Sequence, residues 1–437
     1  MSHKVLLLAI HHLVTVLVYT NGSPGFLLPG RPFVTIWNAP TSQCWEKYGV
    51  DLDLDPFDIV VNENQSFSGS EMVIFYKTEL GLYPYYDLDD NPINGGLPQN
   101  ISLSDHLNQA YKNLMTTIPS PDFKGAAVID WEDWRPLWGR DWDKMNIYRE
   151  RSQQLVQERH PSWPAKKVLL EAQREFEEAA EKFITSTLTL SRKLRPGGLW
   201  GLYGFPNCYN YDYKKGLHNY TGECPQPEIA RNDRLKWMWN SSQALYPDIY
   251  LEQILKDSGY VKQFVKHRLE EAFRVSGQSV EDELPVFPYA RIVYTYSMDF
   301  LTQEDLIQTI GQSAALGTAG VVLWGNNDYH RSKEACLEVK SYIDSTLGRY
   351  VVNVTRGATL CSQALCAGNG RCVCEDSTSN CHLHLNPNSF SIRRNPEGRG
   401  FLVSGEASKM DLMYMAVFFQ CRCYPGWKGQ DCSHRTD

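Results

Sequence analysis

The sequence predicts an α/β fold: a closed β/α barrel of the TIM type followed by a small module held together by disulfides. Over the first 350 residues, apolar runs of strand length alternate with stretches of helical periodicity, the pattern of a parallel sheet wrapped by helices. Of the twelve cysteines, only Cys44, Cys208, Cys224 and Cys336 fall in that region, while eight crowd between Cys361 and Cys432. A region with a large core needs few staples, and a region too short to build one needs many. No Gly-rich nucleotide loop follows the first apolar run, so a closed barrel is favoured over an open dinucleotide-binding sheet.

The strand candidates are Phe33 to Trp37, Met72 to Tyr76, Ala126 to Asp130, Leu199 to Tyr203, Ala290 to Tyr294 and Gly320 to Trp324. The clearest helix runs from about Trp163 to Leu194, with Ser162 as its N-cap, Pro164 in its first turn and Pro196-Gly197-Gly198 ending it. Val168, Leu169, Ala172, Phe176, Ala179, Ala180, Phe183 and Ile184 recur at helical spacing and mark its core face. A second helix opens at Thr302-Gln-Glu-Asp305, which has the form of a capping box, and continues to Leu316 before Gly317.

The chain divides into a leader over 1–22, a barrel over 23–350 and a disulfide module over 351–437. His3 and Lys4 precede an apolar stretch from Val5 to Val18, which gives way to Asn21-Gly22-Ser23-Pro24, the form of a signal peptide; a signal anchor is the alternative. Acceptor triplets for N-linked sugar begin at Asn64, Asn100, Asn219, Asn240 and Asn353, and agree with export. No apolar tail follows Cys432, so no C-terminal membrane anchor is expected.

In the module, Cys361-x4-Cys366-x5-Cys372 is followed by Cys421-x-Cys423-x8-Cys432, with Tyr424-Pro-Gly-Trp427 in the last loop. This resembles an epidermal-growth-factor-like unit. Its usual pairing would join Cys361 to Cys372, Cys366 to Cys421 and Cys423 to Cys432, leaving Cys374 and Cys381 in the insertion, where spacing permits them to pair. A zinc site near His382 and His384 is disfavoured, because exported chains oxidise their cysteines.

Apolar residues make up 42% of the chain and aromatics 12%, enough for a sizeable core. A formal charge of −8 argues against nucleic-acid binding, which needs a surplus of Lys and Arg. An anionic substrate would have to be held by local basic groups and stacking rather than by the field of the whole protein.

The chemistry points to Asp130 and Glu132, which end the apolar run Gly125 to Ile129. On a strand, positions i and i+2 face the same way, so two carboxyls share one small site at the end where a barrel carries its chemistry. An Asp-x-Glu is ordinarily a solvated strand end, but a buried strand that delivers neighbouring acids among aromatics places like charges together at a cost. One carboxyl of such a pair keeps its proton toward neutral pH and can act as a general acid. The two are too close to straddle a scissile bond as nucleophile and acid, a pair that needs about 5 Å, so one has a helper role, such as orienting a substrate acetamide.

Ile129-Asp-Trp-Glu-Asp-Trp-Arg135, Leu199-Trp-Gly-Leu-Tyr-Gly-Phe-Pro206, Asn207-Cys-Tyr-Asn-Tyr-Asp212 and Gly320-Val-Val-Leu-Trp324 closely resemble the animal hyaluronidases. So do Arg31-Pro-Phe33, Ile74-Phe-Tyr76, Tyr83-Pro-Tyr-Tyr86, Gly95-Gly-Leu-Pro98 and Leu383-His-Leu-Asn-Pro387. The tail resembles the soluble members rather than the anchored ones.

The resemblance implies a distorted barrel and retaining hydrolysis of β-1,4 bonds in hyaluronan, with chondroitin a weaker substrate and no cofactor. Glu132 would be the proton donor and Asp130 would hold the acetamido group. Tyr203 and Tyr246 would position the sugar, Tyr76 and Trp324 would line the groove, and each of these aromatics has a plain alternative as core. Arg135 could pair with a glucuronate carboxylate or serve a structural ion pair. Disulfides Cys44–Cys336 and Cys208–Cys224 are implied. The leader and sugar acceptors lead us to expect the chain in the secreted or lysosomal space, as a monomer, with an unidentified protein partner for the module. Asn207 departs from the family, whose members commonly have Asp there.

Three rival readings are a binding protein that keeps the groove without catalysis, a chitinase-like enzyme, and an adhesive role centred on the module. The intact acid pair disfavours the first. Val128 stands where the longer chitinase motif needs an acid, which disfavours the second.

Overall fold

The computed structural model describes residues 27–61, 69–279, 283–377 and 379–436; the expected leader and the acceptor residue Asn64 lie outside them. Strands Ile59–Val60, Val34–Asn38, Gly320–Trp324 and Tyr289–Ala290 pair in that order, all parallel. Met72–Tyr76, Ala126–Asp130 and Leu199–Leu202 form a second parallel set. Parallel bridges Tyr203 to Tyr246, Leu245 to Val286 and Asp248 to Tyr289 join the two sets through the segment 245–248.

Alternate residues of these strands point inward. Ile59, Ile36, Val322, Tyr289, Tyr246, Leu199, Val128 and Ile74 meet in one buried cluster that takes side chains from both outermost strands. The sheet therefore curls round a filled interior. Gly201 holds the inward position between Leu199 and Tyr203, where a Cβ would collide with the Ala244 carbonyl, so the absent side chain lets segment 244–246 close on the strand.

The outward faces pack on helices. The long helix spans Ala165–Leu194 and buries Val168, Ala172, Phe176, Ala180, Phe183, Ile184 and Leu188 against the sheet. It starts two residues later than its pattern suggests: Pro164 is its extended cap residue, no side chain caps the helix there, and Leu169 is exposed. The second helix is interrupted, with α turns at Gln303–Leu306 and Gln312–Ala315 flanking a π turn at Ile307–Gly311. Thr302 accepts from the Asp305 amide, but the Asp305 carboxylate accepts from the Tyr294 hydroxyl instead of completing a capping box.

The expected strand Ala290 to Tyr294 is the clearest difference between sequence and structure. Only Tyr289–Ala290 is strand; Ile292, Val293 and Tyr294 are apolar because they are buried beneath the following loop, where Val293 forms an antiparallel bridge with Phe300.

Helix Gly348–Leu365 crosses the boundary expected at 350/351 and carries Cys361 into the cysteine-rich region. There Gly370–Cys374 pairs antiparallel with Phe419–Cys423, and Phe390–Arg394 with Phe401–Gly405. The disulfides are Cys44–Cys336, Cys208–Cys224, Cys361–Cys372, Cys366–Cys421, Cys374–Cys381 and Cys423–Cys432, which leaves no free thiol for a metal. Buried Arg371 ties this region to the start of the first strand by donating from Nε to the Pro32 carbonyl at 2.7 Å. Among the described residues, no helix is long and apolar enough to cross a membrane.

Candidate active site

Strand register sets the site. Asn38 lies opposite Trp324 and Tyr76 opposite Asp130, so the carboxyl ends of the strands are level. Two residues beyond the apolar interior, the inward positions become Asn38, Tyr76, Asp130, Tyr203, Asp248, Arg291 and Trp324. Polar and aromatic groups thus cap the core at one end.

Asp130 follows fully buried Ala126 and Val128, and its Oδ1 is shut from water without a hydrogen-bond partner. Burial chiefly, and then the negative charge of Glu132, push its proton affinity well above the ordinary carboxyl range. Glu132 is raised too, by burial first, with Asp248 and Asp133 adding and Arg135 opposing. The cleft walls crowd Glu132, yet its side chain is 54% exposed. Asp130 is thus the more enclosed carboxyl of the pair and Glu132 the one that opens on the cleft.

Trp131 turns away from the acids and stacks on Tyr83 with ring centroids 4.9 Å apart; Trp134 anchors the next turn by donating from Nε1 to the Pro84 carbonyl at 2.9 Å. These contacts fix the loop that carries Glu132. Arg135 closes it: its amide donates to Asp141 Oδ1 at 2.7 Å, Nη1 donates to the Glu132 carbonyl at 3.0 Å, and Nη2 lies 3.7 Å from the Glu132 carboxylate. Its polar contacts are thus within the loop, and its guanidinium carbon lies 5.9 Å from the centroid of the Phe205 ring.

An aromatic arc surrounds Asp130. The Tyr203 and Tyr250 rings lie with centroids 6.3 Å apart, Tyr250 stacks on Trp324 with centroids 6.2 Å apart, and the Trp324 indole donates to the Tyr76 hydroxyl at 3.1 Å. Tyr246 is not part of this arc. It is fully buried in the interior, one layer below, where its hydroxyl donates to the Leu199 carbonyl at 2.6 Å. Tyr250, four residues later, is the tyrosine that reaches the site. The signal that could have found it is the run Leu245-Tyr-Pro-Asp-Ile-Tyr250, which offers two tyrosines at neighbouring levels.

Glu132, Arg135, Tyr203, Asn207, Tyr209 and Asp248 line a recess of about 390 Å³ beside the pair. A larger recess of about 500 Å³, between Gln243 and Trp427, lies where the strands begin and holds no acid pair. Beneath the site, Asp248 is bonded at 2.8 Å by fully buried Arg268, which also donates to Asn210 Oδ1. Asn207 has its Oδ1 shielded from water without a partner. Sequence reasoning missed Asp248 and Arg291, although each continues the two-residue alternation of its segment.

Of the glycan acceptors, Asn100 and Asn219 are exposed, whereas Asn240 and Asn353 are half-buried. Asn353 Oδ1 accepts from the Leu385 amide at 2.7 Å.

Paired acids at the carboxyl end of a curled parallel sheet, walled by tyrosines and a tryptophan, define a site of the glycoside-hydrolase class. A sequence profile described as hyaluronidase matches residues 23–436. Hyaluronidase-1 of Homo sapiens is 49% identical over 423 residues, covering 97% of each chain. Hyaluronidase-1 of Sus scrofa is 48% identical over 422 residues, again covering 97% of each chain. The crystal structure of bee venom hyaluronidase in complex with a hyaluronic acid tetramer superposes with a TM-score of 0.65 at 32% identity, covering 72% of this chain and 97% of that one. The chain belongs to the hyaluronidase family of glycoside hydrolases.

Proposed function

We propose that this enzyme hydrolyses the β-1,4 bonds of hyaluronan after N-acetylglucosamine, and those of chondroitin more slowly. The observation that carries the reading is the Asp130–Glu132 pair set within the arc of Tyr203, Tyr250, Trp324 and Tyr76. The retaining stereochemistry rests on the shortness of the pair. With no room for a carboxylate nucleophile and a separate acid, the substrate's own acetamido oxygen is the group able to attack C1.

In this mechanism the sugar covers Glu132 and removes its solvent, which favours the protonated carboxyl. Glu132 gives that proton to the glycosidic oxygen as the C1–O bond breaks and a bond forms from the acetamido oxygen to C1. Asp130 accepts the acetamide N–H and stabilises the positive charge that develops there. Water then attacks C1, Glu132 takes its proton, and the amide is restored with the configuration retained. Tyr203 and Tyr250 orient the acetamido group, and Tyr76 and Trp324 bear the sugar faces.

The same reading makes the sheet a closed, distorted TIM-type barrel and the cysteine-rich tail an EGF-like module with an insertion. It places the protein outside the cytosol, in the extracellular fluid or lysosome, in keeping with the oxidised cysteines and the exposed acceptors at Asn100 and Asn219. Reducing-end release from hyaluronan, followed by NMR of the first-formed anomer, tests the proposal. New β-anomeric N-acetylglucosamine ends are expected; no release, or α-anomeric ends, would overturn it.

A further inference from the structure

Phe287 and Tyr289 belong to the buried interior of the sheet, so the next inward position in their segment is Arg291. Ala290 lies opposite Leu323, which sets Arg291 beside Trp324, with its guanidinium carbon 5.4 Å from the indole centroid. The side chain is half-buried and its Nε is shut from water without a partner. Nη2 reaches Asn326 Oδ1 only at 3.5 Å, and the guanidinium also meets the Tyr329 hydroxyl. Among the described residues it meets no carboxylate at ion-pair distance. Other guanidiniums around the site are committed: Arg268 to Asp248, Arg140 to Glu228, Arg135 to the Glu132 loop.

A guanidinium taken partly out of water costs free energy unless an anion offsets it, and none of the described residues supplies one at ion-pair distance. The position is at the carboxyl end of the sheet, against the tryptophan of the aromatic arc, on the flank away from Arg135. A planar fork next to an indole suits a carboxylate on a ring that stacks there. We infer that Arg291 is a substrate-binding residue that takes a uronate carboxylate on the Trp324 side of the cleft and makes the enzyme selective for an anionic chain. The inference rests on hyaluronan being the substrate. In a protein of net charge −8 it supplies the local attraction that the overall field does not.

The test compares native hyaluronan with hyaluronan whose uronates have been reduced to neutral glucose. For Arg291→Gln on the native polymer, KM is expected to rise roughly tenfold, with the larger part of the loss in KM rather than kcat. On the reduced polymer the variant and the unsubstituted enzyme should behave alike, and Arg291→Lys should recover part of the native-polymer affinity. An unchanged KM on native polymer, or an equal loss on both polymers, overturns the assignment. If Arg291→Gln fails to fold, the unsubstituted enzyme still decides: equal KM for both polymers sinks the inference. Failure of the hyaluronan reading itself is separate, appearing as no cleavage of native polymer by the unsubstituted enzyme.

Discussion

The Trp324 indole donates to the Tyr76 hydroxyl at 3.1 Å, tying together the carboxyl ends of two strands that are not neighbours in the sheet. The bond holds Trp324 upright between Tyr250 and Tyr76, so the groove wall is set before substrate arrives. Tyr76→Phe leaves a half-buried indole N–H without this acceptor and is expected to cost about 1 kcal/mol of stability. It should also raise KM several-fold as the wall loosens. Urea unfolding read beside steady-state kinetics checks both; unchanged kinetics would show that the wall needs no such tie.

The acid pair separates activity from stability. Glu132→Gln keeps the shape of the loop but cannot donate a proton, and should lose roughly two to four powers of ten in kcat. Asp130→Asn should also be severely impaired, yet more stable than the parent at neutral pH, because the amide needs no proton on folding, whereas the buried carboxyl must take one up or carry a charge beside another acid. Thermal unfolding of the two variants at pH 7 decides this. A destabilised Asp130→Asn would mean that the carboxylate is held by contacts worth more than its burial costs.

The pH dependence follows from the same two raised carboxyls. Between their ordinary carboxyl range and their raised folded range, the folded state binds more protons than the unfolded chain. Their contribution to stability is therefore fully present below the ordinary range and is lost as pH rises through the raised one. Activity that depends on the protonated acid is lost in the same direction. Melting temperatures measured from pH 4 to 8 should fall less steeply with rising pH for Asp130→Asn than for the parent; parallel curves would contradict the assignment.

The interior was legible wherever the apolar runs were unbroken. Met72 to Tyr76, Ala126 to Asp130 and Gly320 to Trp324 were readable to the residue, because a strand buried on both faces leaves a continuous apolar run. Ile292, Val293 and Tyr294 misled, since a chain buried under a loop has the same composition as a strand. Sequence does not reveal height within a filled sheet interior, so Tyr246 and Tyr250 look alike in it, although one is sealed on the Leu199 carbonyl and the other stacks on Trp324 at the site. Asp248 and Arg291 were overlooked because single charged residues after short, bridge-like strands carry no motif.

Asp248 and Arg268 form a pair whose two roles can be told apart. Arg268 is fully buried, so Asp248→Asn leaves it without its carboxylate and should cost about 3 kcal/mol. The negative charge of Asp248 also raises the proton affinity of Glu132, so its removal should move the alkaline limb of kcat/KM to lower pH. Replacing Arg268 by Leu should cost stability too, but with Asp248 still present the limb should not move downward. If both variants shift the limb to lower pH, the effect is structural rather than electrostatic.

Asn207 gives the converse experiment. It lines the recess with Glu132 and Asp248, and shares a smaller cavity with Arg135 and Arg140. Asn207→Asp adds a negative charge near Glu132, which favours the protonated acid directly. An ion pair between the new carboxylate and Arg135 would act in the same sense, because Arg135 is the group that opposes the rise in Glu132. Both effects move the alkaline limb of kcat/KM upward, by roughly half a pH unit or more. A pH-rate profile of the variant at fixed ionic strength measures the shift. A limb that stays in place would mean that Glu132 is insulated from its neighbours across the recess.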